Sequence, residues 1–155
     1  MGQPEATICR PAPKIDLPGE PEQAERFGKA RLARSTVLQE DYVELIADLL
    51  QTTGEARATE IARRLGVSHA AAIKSIGRLK RNGLATAVPY RGVFLTEAGH
   101  FLAERVRARH RLVVDLLLAL GVPREAAESD AEGLEHHVSD TTLAAFANFL
   151  AARRR

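Results

Sequence analysis

Apolar side chains recur at helical spacing along most of the chain after about residue 35. The first such stretch runs from about Val37 to Thr52, and its apolar positions are Tyr42, Leu45, Ile46, Leu49 and Leu50. Because residues three or four positions apart share one face of a helix, this spacing predicts an amphipathic first helix. Gly54 follows as a helix stop.

The stretch from Ala58 to Gly83 predicts a helix-turn-helix. A short helix over Glu60 to Leu65 stops at Gly66, and Ser68 caps a second helix that ends at Asn82-Gly83. We expect an inward set of Ile61, Ala62, Leu65, Val67, Ile73, Ile76 and Leu79. The outward set of the second helix is His69, Ala70, Ala71, Lys74, Ser75 and Arg78. Cations suit phosphate or guanine and small apolar groups suit thymine methyls, so we expect this face, with Ser68, to enter a DNA major groove.

A hairpin is expected directly after these helices. Leu84 to Val88 and Val93 to Thr96 are β-prone runs, and the four residues between them favour a turn. The tip of this wing presents Tyr90 and Arg91, which suit contact with a sugar-phosphate backbone.

Three more helices follow. The first opens at Thr96-Glu97 and stops at Gly121, the second begins at Pro123, and Ser139 caps the third. The apolar positions of the first and third are Phe101, Leu102, Val106, Val113, Leu116, Leu117 and Leu120, and then Leu143, Phe146, Phe149 and Leu150. We expect Arg105, Arg107, Arg109 and Arg111 to be exposed.

Composition limits the possible architectures and partners. A chain of 155 residues with 45% hydrophobic content forms one or two small domains. Residues 1–34 hold five of the seven prolines and no apolar periodicity, so we expect a disordered leader there. The net charge of only +2 means that nucleic-acid affinity depends on local clusters, such as the basic residues between 57 and 91.

Cysteine usage and hydropathy indicate the compartment. The single cysteine, Cys9, cannot close an intrachain disulfide, which favours a reducing environment. No run of eighteen apolar residues and no signal-peptide pattern occurs in the sequence. We therefore expect a cytoplasmic protein.

Carboxylates and histidines form two half-sites for a metal. Asp41 and Glu44 share one helical face, and Glu132, Glu135 and His136 share another. His110 lies midway along the long helix between them. Clustered carboxylates repel one another unless a cation lies between them, and oxygen ligands with an occasional imidazole suit Mn²⁺, Fe²⁺ or Mg²⁺.

Other interpretations of these residues stay open. An acidic helix face taken alone is more often a solvated surface, and the second carboxylate pair is what favours a metal. A metal buffer protein would use the same ligands without metal-dependent DNA binding. A metalloenzyme is disfavoured because Glu-x-x-Glu-His matches neither the His-Glu-x-x-His motif nor paired Glu-x-x-His motifs. We expect no enzymatic activity.

The chain resembles the manganese-responsive repressors of the diphtheria toxin repressor family. The resemblance spans roughly Leu38 to Leu150 and is most specific at residues 130–137 (DAEGLEHH), at 90–96 (YRGVFLT) and at Arg109-His110. It implies a mainly α fold, with a winged helix-turn-helix over 35–97 and an all-helical metal-binding and dimerisation domain over 98–155. It also implies a homodimer that binds operator DNA and represses manganese uptake genes, without a membrane or small organic partner.

The resemblance further implies the ligands of the metal site. They are Asp41, Glu44, His110, Glu132, Glu135 and His136, and they would hold two Mn²⁺ per chain. The iron-responsive branch has a methionine at the place of Asp41 and a cysteine at the place of Glu135. Two carboxylates here favour manganese, and an iron-responsive regulator of the same family is the alternative.

Overall fold

The computed structural model describes residues 17–153, with the backbone alone at residues 30 and 31. Its elements follow in the order α1 (Glu20–Thr53), α2 (Ala58–Arg64), α3 (His69–Arg81), β1 (Ala85–Val88), β2 (Gly92–Leu95), α4 (Glu97–Ala119), α5 (Arg124–Leu134) and α6 (Asp140–Arg153). The mainly helical fold class, with a winged helix-turn-helix followed by helices, is confirmed.

The first helix is longer than its apolar pattern predicts. The expected start was Val37, after a disordered leader over 1–34, whereas α1 begins at Glu20. The expectation was wrong for residues 20–34 because these residues lack an apolar stripe but are mostly good helix formers. Pro21 fits the first turn, and Lys29 forms an ion pair with Glu25 at 2.7 Å. The rest of the leader that includes Cys9, residues 1–16, lies outside the described residues.

One apolar cluster builds the winged helix-turn-helix. The C-terminal half of α1 buries Tyr42, Val43 and Ile46 against Ile61 of α2 and Leu79 of α3. Gly66 adopts φ +65° in the turn, and the Ser68 hydroxyl accepts a hydrogen bond from the Ala71 amide at 3.1 Å. The predicted turn glycine and helix cap are therefore confirmed.

The inward face of α3 differs from the expected one at two positions. Ile73, expected inside, is 51% exposed, and Ser75, expected outside, is only 7% exposed. The buried stripe is Ala72, Ser75, Ile76 and Leu79. The small side chains of Ala72 and Ser75 let α3 approach its neighbours closely. The buried face of α3 is therefore rotated about the helix axis away from its most hydrophobic face.

The wing is held by backbone contacts to the segment after α1. β1 and β2 pair antiparallel, with Ala85 opposite Leu95 and Val88 opposite Gly92. The Val93 amide donates to the Ala56 carbonyl at 2.9 Å. A Cβ at Gly92 would lie 2.7 Å from the same carbonyl oxygen, so only glycine permits this approach. The tip residue Tyr90 is fully exposed.

A second apolar cluster joins α4, α5 and α6. Val113, Val114, Ala131 and Leu143 form its buried part. The Thr96 and Ser139 side chains cap α4 and α6 by accepting from Gly99 and Thr142 amides. Ala103 of α4 belongs to the first cluster, so α4 contributes to both clusters. The predicted domain boundary between residues 97 and 98 therefore stays a prediction. No helix in the described residues is long and apolar enough to cross a membrane.

Four predicted exposures along α4 differ from the structure. Phe101 and Leu120, expected inside, are 63% and 61% exposed. Arg107 and Arg109, expected exposed, are partly buried because each lies against an acidic residue of α1. The helical period alone does not reveal which neighbouring helix covers a given face.

Replacing Gly99 by alanine should destabilise the fold. A Cβ at this position would overlap the carbonyl oxygen of Leu84, which is backbone and cannot move aside cheaply. We expect a loss of about 1–3 kcal/mol, as for other overpacked sites, measured by denaturant unfolding of metal-free protein. The matched control is Gly77→Ala in α3, where the nearest atom is a flexible arginine end at 3.6 Å. An equal loss in both variants would contradict the close contact.

Candidate metal centre and nucleic-acid interface

The fold brings all six expected ligands to the junction of α1, α4 and α5. Asp41, Glu44, Glu132 and His136 line one pocket, together with Asp48. His110, Glu132 and Glu135 offer ligand atoms that all lie within 4.8 Å of one another. Glu132 belongs to both groups, so the two half-sites adjoin although residues 41 and 136 are far apart in sequence.

Glu135 lies between the two imidazoles. Its Oε2 is 2.7 Å from His110 Nδ1, and its Oε1 is 3.5 Å from His136 Nε2. Its side chain is 1% exposed. His136 Nε2 is also 3.3 Å from Asp41 Oδ1. Glu135 therefore connects His110 of α4 to His136, which in turn contacts Asp41 of α1.

The carboxylates of this junction are costly to ionise. Burial raises the pKa of Asp41, of Glu44 and of Glu135, and nearby carboxylates add to each effect. At His110 burial favours the neutral ring, but hydrogen bonds to Glu128 and Glu135 outweigh it and raise the pKa of the imidazole. The site therefore favours bound protons or another cation over empty ionised oxygens.

The donor set fits a divalent metal ion. Four carboxylates and two imidazoles are hard or borderline ligands of the kind that Mn²⁺ and Fe²⁺ take, and the described site has no sulfur donor. The roles of the individual residues as ligands stay predictions.

Sequence reasoning missed two acidic residues that face the site histidines. Glu40 Oε2 lies 2.8 Å from His136 Nδ1, and Glu128 Oε2 lies 3.2 Å from His110 Nε2. Glu128 was detectable, since it precedes Glu132 by four positions and shares its helical face. Glu40 carried the same signal, since it precedes Glu44 by four positions on α1.

The expected DNA-binding face is exposed except at two positions. His69, Ala70, Ala71 and Lys74 of α3 are exposed, as are Ser68 and both wing-tip residues, Tyr90 and Arg91. The prediction that Ser75 is exposed on this face was wrong. Ser75 is buried and accepts a hydrogen bond from Arg78 Nη2 at 3.0 Å. Arg78 is accordingly only partly exposed. Ile73, which sequence reasoning placed inside, joins the exposed face.

Two family models match consecutive parts of the chain. The DNA-binding domain model of iron-dependent repressors matches residues 36–93. The model for the metal-binding and dimerisation domain of iron-dependent repressors matches residues 96–155. Together they cover most of the chain and both groups of residues described above.

Individual relatives agree with these models. The chain is 50% identical over 133 residues to the "Transcriptional regulator MntR" of Escherichia coli O157:H7, covering 86% of each chain. It is 35% identical over 105 residues to the "HTH-type transcriptional regulator MntR" of Bacillus subtilis, covering 68% of this chain and 74% of that one. A solved "Manganese-dependent transcriptional repressor complex with manganese" is 31% identical, with a TM-score of 0.62 over 72% of this chain. This chain spans about half, 51%, of that solved chain.

Removing the Glu44 carboxylate should stabilise the metal-free protein at neutral pH. The folded pKa of Glu44 lies above its ordinary value of 4.5, so its contribution to stability is full below that value and lost as pH rises through the folded pKa. We therefore expect Glu44→Gln to raise the melting temperature of chelated protein at neutral pH, and the gain to vanish in acid.

The control for this experiment is Glu104→Gln. Glu104 is exposed and lines a different pocket, with Glu97 and Phe101. A Glu44→Gln effect that is independent of pH, or equal to the control, would contradict a costly ionised carboxylate at position 44.

Proposed function

This chain belongs to the iron-dependent repressor family, also called the diphtheria toxin repressor family, and we propose that it represses manganese uptake genes when manganese is bound. It is a DNA-binding transcriptional regulator and not an enzyme. The observation that carries the proposal is the convergence of Asp41 and Glu44 with Glu132, Glu135 and two imidazoles at one junction. That junction joins α1, which contributes to the core of the DNA-binding unit, to the C-terminal helices α4 and α5.

Manganese is the favoured metal. Asp41 and Glu135 are hard carboxylates, and the described site has no sulfur donor. Relatives named as manganese regulators support the same choice. Four carboxylates balance the charge of two divalent cations, so we propose two per chain. His110, Glu132 and Glu135 would contribute to one, and Asp41 and His136 to the other, with Glu44 at the pocket between them.

Helix α1 transmits the state of the site to the DNA-binding unit. Asp41 and Glu44 face the site, while Tyr42, Val43 and Ile46 lie in the core of the winged helix. Without a counter-charge, Asp41 and Glu44 repel Glu132 across the pocket, and α1 is less firmly held to α5. When bound, a divalent cation supplies the positive charge that offsets this repulsion.

Fixing α1 matters because the protein acts as a dimer on DNA. Dimeric helix-turn-helix proteins need their recognition helices about 34 Å apart, or a multiple of one DNA turn. Holding α1 against α5 limits the orientations that α3 can take relative to its copy in the partner. Coupling between metal and DNA is reciprocal and typically amounts to about 1–3 kcal/mol.

The helical half offers apolar surface for the dimer. Leu120 at the end of α4 and Phe149 of α6 are exposed. They lie at the same end of the molecule, because Arg153 of α6 donates to the carbonyl of Ala119. We propose that a second copy covers surface of this half, which matches the metal-binding and dimerisation domain model. The dimer acts where the operator DNA is, in the cytoplasm, without a membrane or small organic partner.

The deciding experiment is capture of sheared genomic DNA by chelator-stripped protein, with and without manganese, at one fixed salt concentration. We expect a few discrete sites to be enriched only with manganese, and the Asp41→Asn variant to lose that enrichment. Equal enrichment without metal would contradict metal gating. Stronger enrichment with ferrous iron, added anaerobically, would contradict the choice of manganese.

Lys74→Ala should weaken operator binding, whereas Ser75→Ala should leave it nearly unchanged. Lys74 is exposed on α3 and suits a phosphate contact, so its loss should reduce the slope of log affinity against log salt by about 1. Ser75 is buried beneath the same face and contacts Arg78 instead. The measurement is fluorescence anisotropy with a captured operator at several salt concentrations. A larger effect for Ser75→Ala would mean that another face of α3 meets DNA.

A further inference from the structure

In each site histidine, one ring nitrogen faces expected metal ligands and the other faces an acidic residue outside the expected ligand set. His136 turns Nε2 toward Asp41 and Glu135, which are expected ligands, and Nδ1 toward Glu40, which is not. His110 turns Nδ1 toward Glu135 and Glu132, and Nε2 toward Glu128. Two histidines on different elements thus share one arrangement, with opposite ring nitrogens facing the site.

We propose that Glu40 and Glu128 are positioning residues that fix the tautomer and orientation of the metal-binding histidines. Each accepts a hydrogen bond from the outer ring N–H, which leaves the lone pair of the inner nitrogen directed at the site. Carboxylates that bond a ligating histidine in this way fix its ring and raise its basicity. The proposal deepens the proposed function and rests on it, since it assumes that the junction binds a metal.

Glu40 is the stronger of the two positioning residues. Its side chain is 7% exposed and the side chain of His136 is 6% exposed, so water does not readily replace their 2.8 Å contact. Glu128 is 46% exposed, its contact with His110 is longer, at 3.2 Å, and it also accepts from Arg124. Loss of Glu40 should therefore cost more metal affinity than loss of Glu128.

Arg109 holds the Glu40 carboxylate in place. Its Nη2 lies 2.6 Å from Glu40 Oε1, an ion pair that leaves Glu40 Oε2 for His136. The Nε and Nη2 atoms of Arg109 are buried, and Glu40, which Nη2 contacts as an ion pair, is the group that balances their charge. This chain of contacts links α4, α1 and the turn after α5 independently of Asp41 and Glu44.

The first test reads the histidine tautomers directly. In metal-free protein, ¹⁵N spectra of the imidazoles are recorded at an alkaline pH where both rings are neutral. We expect His136 to carry its proton on Nδ1, because its contact with Glu40 is shorter than the Nε2 contacts with Asp41 and Glu135. Glu40→Gln should change the His136 tautomer, whereas Glu128→Gln should leave it unchanged. A merely structural role for Glu40 would not produce this selective change.

The second test is manganese affinity by calorimetry. We expect Glu40→Gln to weaken binding by about 10–100-fold, the range found for partners of ligating histidines, and Glu128→Gln to weaken it less. Glu40→Gln leaves the Arg109 charge unpaired, so the double variant with Arg109→Met keeps the fold testable. It should show the same loss of affinity as Glu40→Gln. Arg109→Met alone retains the Glu40 carboxylate and should lose much less.

Failure of this inference differs from failure of the proposed function. If the unaltered protein binds no manganese, the proposed function fails first. If it binds manganese and both the tautomer of His136 and the affinity are unchanged in Glu40→Gln, the positioning role is wrong.

Discussion

The structure depends on holding like-charged carboxylates together where three helices meet. Asp41 and Glu44 of α1 converge with Glu132 of α5 and with Glu135, directly after α5, and Glu135 is almost fully buried there. Burial raises the pKa of Asp41, Glu44 and Glu135, so the junction disfavours their ionised forms when no cation is near. In the proposed function, a divalent cation offsets this cost.

Helix α1 is shared between this junction and the DNA-binding unit. One face of the C-terminal half of α1 completes the core of the winged helix. Another face supplies Asp41 and Glu44 to the junction. No separate hinge or lever is required between the two. The ion pairs of Asp48 with Arg107 and of Glu40 with Arg109 join the same stretch of α1 to α4. They join α1 to α4 by contacts that do not involve Asp41 or Glu44.

The exposed face of α3 shows how packing shapes a recognition surface. Ser75 lies inside, where small side chains let the helix approach its neighbours, and Ile73 lies outside among Ala70 and Lys74. An exposed isoleucine beside alanines suits contact with thymine methyl groups, and Lys74 suits phosphate. The wing adds Tyr90 and Arg91 on a hairpin that Gly92 lets close onto Ala56.

The sequence by itself determined the order of elements, the turn glycine, the caps and the two half-sites of carboxylates. These follow from local chemistry: Gly66 permits a left-handed turn, Ser68 and Thr96 cap helices, and helical spacing aligns Glu132 with Glu135. Only the tertiary structure decided which side of α3 is buried, that Arg109 lies inside, and that Glu40 and Glu128 face the histidines. Those outcomes depend on contacts between residues distant in sequence, and Glu40 meets His136 because α1 and α5 both pack against α4. The early start of α1 belongs with them, since helix propensity without an apolar stripe leaves no periodic signal.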